Sequence, residues 1–127
     1  MCGIAGFLTK FANGLDEQNL WQMVSSQKHR GPDDTGIYLN SEAGIGLAHC
    51  RLAILDLSPL GHQPMVSSDG SVTLVFNGEI YNFLEIRQEL LEKGFKFQGQ
   101  SDTEVLLNLY LSEGKSMLSR LCRGISI

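Results

Sequence analysis

The feature that most limits the fold is the ordering of apolar patterns: short runs, broken by one helical stripe, fill the first two-thirds of the chain, and two helical stripes follow. Ile4 to Leu8 is a short, nearly all-apolar run, the pattern of a strand buried on both faces. Asp16 stands as a helix N-cap before Leu20, Met23 and Val24 at helical spacing, which predicts a helix from Asp16 to Lys28. The stretch His29-Arg30-Gly31-Pro32-Asp33-Asp34 is too polar and too broken by glycine and proline for regular structure, and reads as a loop. Gly36 to Leu39 and Ile45 to Leu55 read as strands, the second largely apolar apart from His49 and Arg51. Ser58-Pro59-Leu60-Gly61 interrupts the chain, and Ser68-Asp69-Gly70 is a turn leading into a strand from Val72 to Phe76. Two helices follow. Asn82 with Glu85 and Ser101 with Glu104 are capping-box patterns, and Gly94 and Gly114 are the matching stops. Phe83, Ile86 and Leu90 form one apolar stripe, and Val105, Leu106 and Leu109 the next. Strands and helices come in blocks, which favours a layered α+β domain.

A chain of 127 residues is long enough to bury a core as one domain. Its net charge of −4 argues against a nucleic-acid or anionic-membrane binder, since those carry a basic patch. No run approaches the roughly 18 apolar residues that span a bilayer. Lys10 follows the first apolar stretch instead of preceding it, unlike a signal peptide, so a cytoplasmic location is expected. Cys2, Cys50 and Cys122 include no Cys-x-x-Cys, and His29, His49 and His62 have no zinc spacing. Neither a disulfide framework nor a metal is expected, and a redox role has little support.

Several residues have both a structural and a chemical reading. Cys2 is either a small buried hydrophobe or, with Met1 removed, a thiol sharing its residue with a free α-amino group. That amine titrates near ~7.7–8.0 and a free thiol near ~8.5, so the amine suits removal of the thiol proton. Asn77-Gly78 is either a two-residue hairpin turn or a pair of oxyanion donors, the Asn77 side-chain amide and the Gly78 N–H. Arg51 is either half of a structural ion pair or a clamp for a ligand carboxylate. Asp102 is either an N-cap or an acceptor for a ligand ammonium, with Ser101 then the cap. Glu79 is either a solvated acid or a second such acceptor. The charges of His29, Arg30, Asp33 and Asp34 read as a solvated loop. Taken together, the chemical readings describe a site for an amino acid with a reactive side-chain carbonyl.

The same residues fall within five ordered motifs. These are Met1-Cys2-Gly3-Ile4-Ala5-Gly6, His29-Arg30-Gly31-Pro32-Asp33, Arg51-Leu52-Ala53-Ile54, Phe76-Asn77-Gly78-Glu79-Ile80-Tyr81-Asn82 and Ser101-Asp102-Thr103-Glu104-Val105. From Met1 to about Leu111 the chain resembles the glutaminase domain of glutamine-hydrolysing asparagine synthetases, an N-terminal-nucleophile (class II) glutamine amidotransferase. The resemblance implies a four-layer αββα sandwich with antiparallel sheets. It implies that Cys2 is the nucleophile after loss of Met1, and that Asn77 and Gly78 form the oxyanion hole. It gives Arg51 the glutamine carboxylate, Glu79 and Asp102 its α-amino end, and Leu52 and Ile54 places in the substrate site. No cofactor is expected in this domain; ATP and magnesium belong to the synthetase domain, where ammonia amidates aspartate. The implied partners are glutamine and a synthetase domain or partner chain, and a homodimer of the full-length relative is one assembly the resemblance allows.

At its end the chain departs from the family pattern. Cys122-Arg123-Gly124-Ile125-Ser126-Ile127 stands where members continue with a Gly-Met-Phe-Ala-Phe strand, more strands and the synthetase domain. The expectation is a partial glutaminase domain over 1–127, incomplete at its C-terminus, with the synthetase domain absent. A non-catalytic or merely glutamine-binding remnant, and an amidotransferase for another carboxylate acceptor, are the alternative readings.

Overall fold

In the computed structural model the described residues are 2–10, 16–54 and 56–124. They cluster into two compact units. The first falls within Met1–Ala53, His62–Pro64 and Val75–Asn77; the second within Ile54–Gly61, Met65–Leu74 and Gly78–Ile127.

The first unit is a three-stranded sheet with one helix on it. The strands β1 (Gly3–Leu8), β2 (Asp34–Asn40) and β3 (Ile45–Arg51) lie in the order β1-β3-β2. Both pairings are antiparallel, with Gly3 opposite Cys50 and Asp34 opposite Arg51. The helix α1 (Glu17–Ser25) starts where Asp16 was read as its cap. The Asp16 carboxylate accepts from the Asn19 N–H, and the Asn19 side chain accepts from the Asp16 N–H, a full capping box. The helix is shorter than the sequence reading, and a 3₁₀ turn at Lys28–Arg30 completes the descent to β2.

Successive strand residues face opposite sides. Leu20 and Val24 of α1 bury against Ala48 and Cys50, with Ala5, Phe7, Ile37 and Leu39 packed around them. The other face carries Ile4, Leu8 and His49. Ile4 and Leu8 are exposed, Leu8 by 80%, so β1 is not the strand buried on both faces that its composition suggested. Its residues simply alternate between the helix-covered face and the other one. Leu20 is fully buried at the centre of this packing. Leu20→Ala is expected to lower the unit's stability by about 2–5 kcal/mol, read as a shifted denaturant midpoint.

The second unit contains β4 (Met65–Val66), β5 (Thr73–Leu74), β6 (Glu79–Ile80), α2 (Phe83–Glu92), α3 (Asp102–Glu113) and β7 (Arg123–Gly124). β4 pairs with β5 and β6 with β7, both antiparallel. The turn at Ser68-Asp69-Gly70 forms as read. The Asp69 carboxylate accepts from the Ser67 hydroxyl at 2.6 Å and the Ser71 N–H at 3.0 Å, bonds that pull its pKa down to about 2. Gly70 sits at φ +72°, a backbone region open to glycine.

Ser101 caps α3 by accepting from the Glu104 N–H at 3.2 Å. The Glu104 carboxylate does not reach back to the cap; it takes the N–H groups of Gln98 and Gly99. Ile86 and Leu90 of α2 and Val105, Leu106 and Leu109 of α3 are buried as their spacing required. Asn82 departs from its reading. It occupies the N-cap position of α2 without a side-chain cap bond. Its amide instead donates to the Arg120 carbonyl at 2.9 Å, and its carbonyl accepts from the Cys122 N–H at 2.9 Å.

Two strand boundaries also differ. The run at Ile45 ends as a strand at Arg51, and Leu55 lies outside the described residues. The strand read over Val72 to Phe76 is only Thr73–Leu74, because the Phe76 N–H and C=O bond to side chains and not to a strand partner.

Candidate active site

Cys2 precedes β1 in the first unit, and its thiol is seated on the Leu52 peptide. The Leu52 N–H donates to Sγ at 3.3 Å, while the thiol points back to the Leu52 carbonyl at 3.7 Å. Arg30 fixes the same residue from the other side, its Nε donating to the Cys2 carbonyl at 3.1 Å. β1 and β3 are direct neighbours in the sheet, so the start of one and the end of the other meet. Arg51, the last residue of β3, is 8% exposed. The following Ala53 N–H donates to Asp33 Oδ2 at 2.8 Å, and the Asp33 N–H donates to the Arg51 carbonyl at 3.0 Å.

The polar loop around His29 to Asp34 is therefore not merely solvated. Arg30 and Asp33 hold the chain on both sides of the thiol. Single-residue reasoning gave no warning of this, since both contacts span at least 20 residues of sequence.

On the face of the sheet opposite α1, His49 is fully buried. Its Nε2 lies 3.2 Å from the Phe76 carbonyl, so that nitrogen carries the proton and donates. Burial pulls the imidazole down to about 4, outweighing the Phe76 bond and the Asp34 charge that favour protonation. It is neutral at physiological pH. Gln63 accepts from the Phe76 N–H at 2.6 Å, so both backbone groups of Phe76 are held by side chains. His62 Nδ1 lies 2.7 Å from Asp34 Oδ2, and a side chain at Gly36 would collide with the Gln63 carbonyl and the His62 ring. The 62–64 segment thus lies directly on β2.

Asn77, half-buried, follows Phe76 in the first unit, and Gly78 begins the last segment of the second. The hairpin reading of this pair does not hold. The strands on either side pair with other partners, β5 with β4 and β6 with β7. Neither residue has the positive φ that a type I′ turn needs.

In the second unit Glu79 is exposed and Ile54 is 71% exposed. Asp102 is buried at the first position of α3, its Oδ2 accepting from the Ile80 N–H at 3.1 Å. Burial pushes its carboxyl above the ordinary aspartate range, the Glu79 charge adds to this, and the Ile80 and Thr103 N–H groups oppose it. Desolvation of the carboxylate thus outweighs the donors that it does have. Among the described residues no cluster of His, Cys, Asp and Glu is placed to hold a metal ion, and no helix is long and apolar enough to cross a membrane.

The site residues thus divide between the units: Cys2, Arg51, Leu52 and Asn77 in the first, and Ile54, Gly78, Glu79 and Asp102 in the second. Cys2 and Leu52 are in contact, and Glu79 and Asp102 are coupled electrostatically.

Residues 1–125 match the family described as Glutamine amidotransferase domain, and the chain belongs to that family. Among individual relatives it is similar to a glutamine-hydrolysing asparagine synthetase of Bacillus subtilis, 39% identical over 128 residues that cover 98% of this chain and 20% of the relative. A putative glutamine-hydrolysing asparagine synthetase of Methanocaldococcus jannaschii is 40% identical over 126 residues, 87% of this chain and 24% of the relative. A Gibberella zeae protein named Amidase chry2 is 37% identical over 131 residues, 95% of this chain and 19% of the relative. The chain spans about a fifth to a quarter of the length of these curated relatives.

Proposed function

We propose that this chain is the glutamine-hydrolysing part of an asparagine synthetase-like amidotransferase, and that Cys2 is its nucleophile once Met1 is removed. The seat of the Cys2 thiol on the Leu52 peptide, in a member of the glutamine amidotransferase domain family, carries the reading. The freed α-amine takes the thiol proton, and the sulfur attacks the glutamine side-chain carbonyl. Negative charge gathers on the carbonyl oxygen, and the Asn77 amide and Gly78 N–H are its donors. Collapse expels ammonia, which leaves with the proton the amine had taken. Water then attacks the thioester, giving glutamate and restoring the thiol. Arg51 takes the substrate carboxylate; Glu79 and Asp102 take its ammonium, and Leu52 and Ile54 contribute to the substrate site.

In the same reading the fold is the four-layer αββα sandwich of N-terminal-nucleophile hydrolases, to which these residues contribute the first part. The ammonia serves ATP- and magnesium-dependent amidation of aspartate, carried out by a synthetase domain outside these residues.

Intact-mass spectrometry before and after exposure to a glutamine-mimicking diazoketone tests the proposal. The expected result is a chain lacking Met1 that gains one adduct, with no adduct in Cys2→Ala. A chain that keeps Met1, or an adduct independent of Cys2, would leave the family intact and make this chain an inert glutaminase fragment.

A further inference from the structure

We infer that His49 and Gln63 are positioning residues: they clamp the Phe76 peptide so that the next residue, Asn77, presents its amide as a fixed oxyanion donor. The inference rests on the glutaminase reading above. Its geometry lies wholly within the first unit.

Phe76 lies outside any strand, yet both its backbone groups are paired. Gln63 accepts from its N–H at 2.6 Å and His49 Nε2 donates to its carbonyl at 3.2 Å. The Phe76 carbonyl and the Asn77 nitrogen belong to one rigid peptide plane. A bond from His49 therefore sets the tilt of the plane that carries the Asn77 Cα. An oxyanion donor works only if it is aimed before charge develops, and a misplacement of about 1 Å is enough to lose about 100-fold in rate.

What histidine adds here is this bond. Its Nδ1 is buried with no hydrogen-bond partner among the described residues, a liability that an apolar side chain of similar volume would not carry. Burial holds the ring neutral, and the Phe76 carbonyl, which can only accept, puts its one proton on Nε2. The acceptor arm is equally braced. The 62–64 segment is kept on β2 by the His62–Asp34 pair and by the bare Cα of Gly36. No single element of sequence shows the clamp, since its arms come from β3 and from a loop.

The test measures glutamine hydrolysis by the full chain, together with binding of glutamate γ-semialdehyde. That aldehyde captures the Cys2 thiol as a tetrahedral adduct whose oxygen needs the same donors. His49→Phe and Gln63→Leu are expected to lower kcat about 10- to 100-fold and to weaken the aldehyde complex in parallel. KM should stay within about threefold, and His49→Gln, which returns a donor near the Nε2 position, should recover most of the loss. Full kcat in His49→Phe would overturn the inference. So would kcat, KM and melting midpoint moving together, with His49→Gln no better than His49→Phe. Asn77→Ala, expected to lose about 100-fold, separates the two claims: wild-type turnover there would sink the oxyanion reading itself. If the wild-type chain shows no turnover, or Gln63→Leu does not fold, nitrogen NMR of the wild-type ring decides. A proton on Nε2 across the accessible pH range supports the clamp, and a proton on Nδ1 overturns it.

Discussion

Cys2→Ala is expected to abolish glutamine hydrolysis, with kcat falling by about 10⁴-fold or more, while the chain stays folded. Removal of the proposed nucleophile cannot be made good by the remaining groups, because neither Cys50 nor Cys122 would share a residue with the N-terminal amine after loss of Met1. The Cys2 side chain is only half-buried, and its hydrogen bonds run to a single peptide, so little packing is lost. Cys50 is the informative contrast. It is fully buried under α1, with its thiol donating to the Gln27 carbonyl at 3.2 Å. Cys50→Ala should reduce stability by about 1 kcal/mol and leave kcat nearly unchanged. Ammonia release and thermal melting, measured on both variants, check the pair. A Cys2→Ala protein that retains turnover would remove the proposed mechanism.

Asp102→Asn is expected to move activity and stability in opposite directions. Glutamine turnover should fall by roughly 100- to 1,000-fold in kcat/KM, because the proposed acceptor for the substrate ammonium is lost. The melting midpoint at neutral pH should rise. Folding raises the Asp102 pKa above 3.8, so the ionised carboxylate opposes the folded state. That penalty is absent below the unfolded value, grows as pH climbs toward the folded one, and is complete above it. The gap between variant and wild type should therefore be small in acid and widen with rising pH. Asparagine keeps an oxygen for the Ile80 N–H while removing the charge. A variant that melts lower than wild type at neutral pH would contradict the assigned environment of Asp102.

Local signals in the sequence reported local structure well. Asp16 caps α1, Ser101 caps α3, and Leu20, Val24, Ile86 and Leu90 are buried because a helix period is visible in a few residues. What failed was decided at a distance. The capping box at Asn82 was a sound local inference, but the Arg120 and Cys122 backbone competes for the same side chain and wins. The strand toward Phe76 was cut short because Gln63 and His49 satisfy its backbone. The roles of Arg30 and Asp33 at the thiol were invisible for the same reason. The candidate residues themselves were legible as a set, since five motifs preserve their order, but the groups that aim them were not. His49 left one clue, a polar ring inside an otherwise apolar run.

The tight β2–β3 connection has a consequence for how sequence change reaches this site. Asn40 pairs with Ile45, and the intervening turn closes on the Asn40 side chain, which accepts from the Ala43 N–H, with Gly44 at φ +66°. Because side chains alternate along β3, the register set at that turn decides the face of every residue in the strand. If gain or loss of one residue there were passed into the strand as a one-residue slip, the imidazole of His49 would turn toward α1 and a neighbour, Ala48 or Cys50, toward Phe76. A slip begun in a solvent-facing turn, touching no site residue, would thus take His49 off the face of the strand that holds the Phe76 carbonyl.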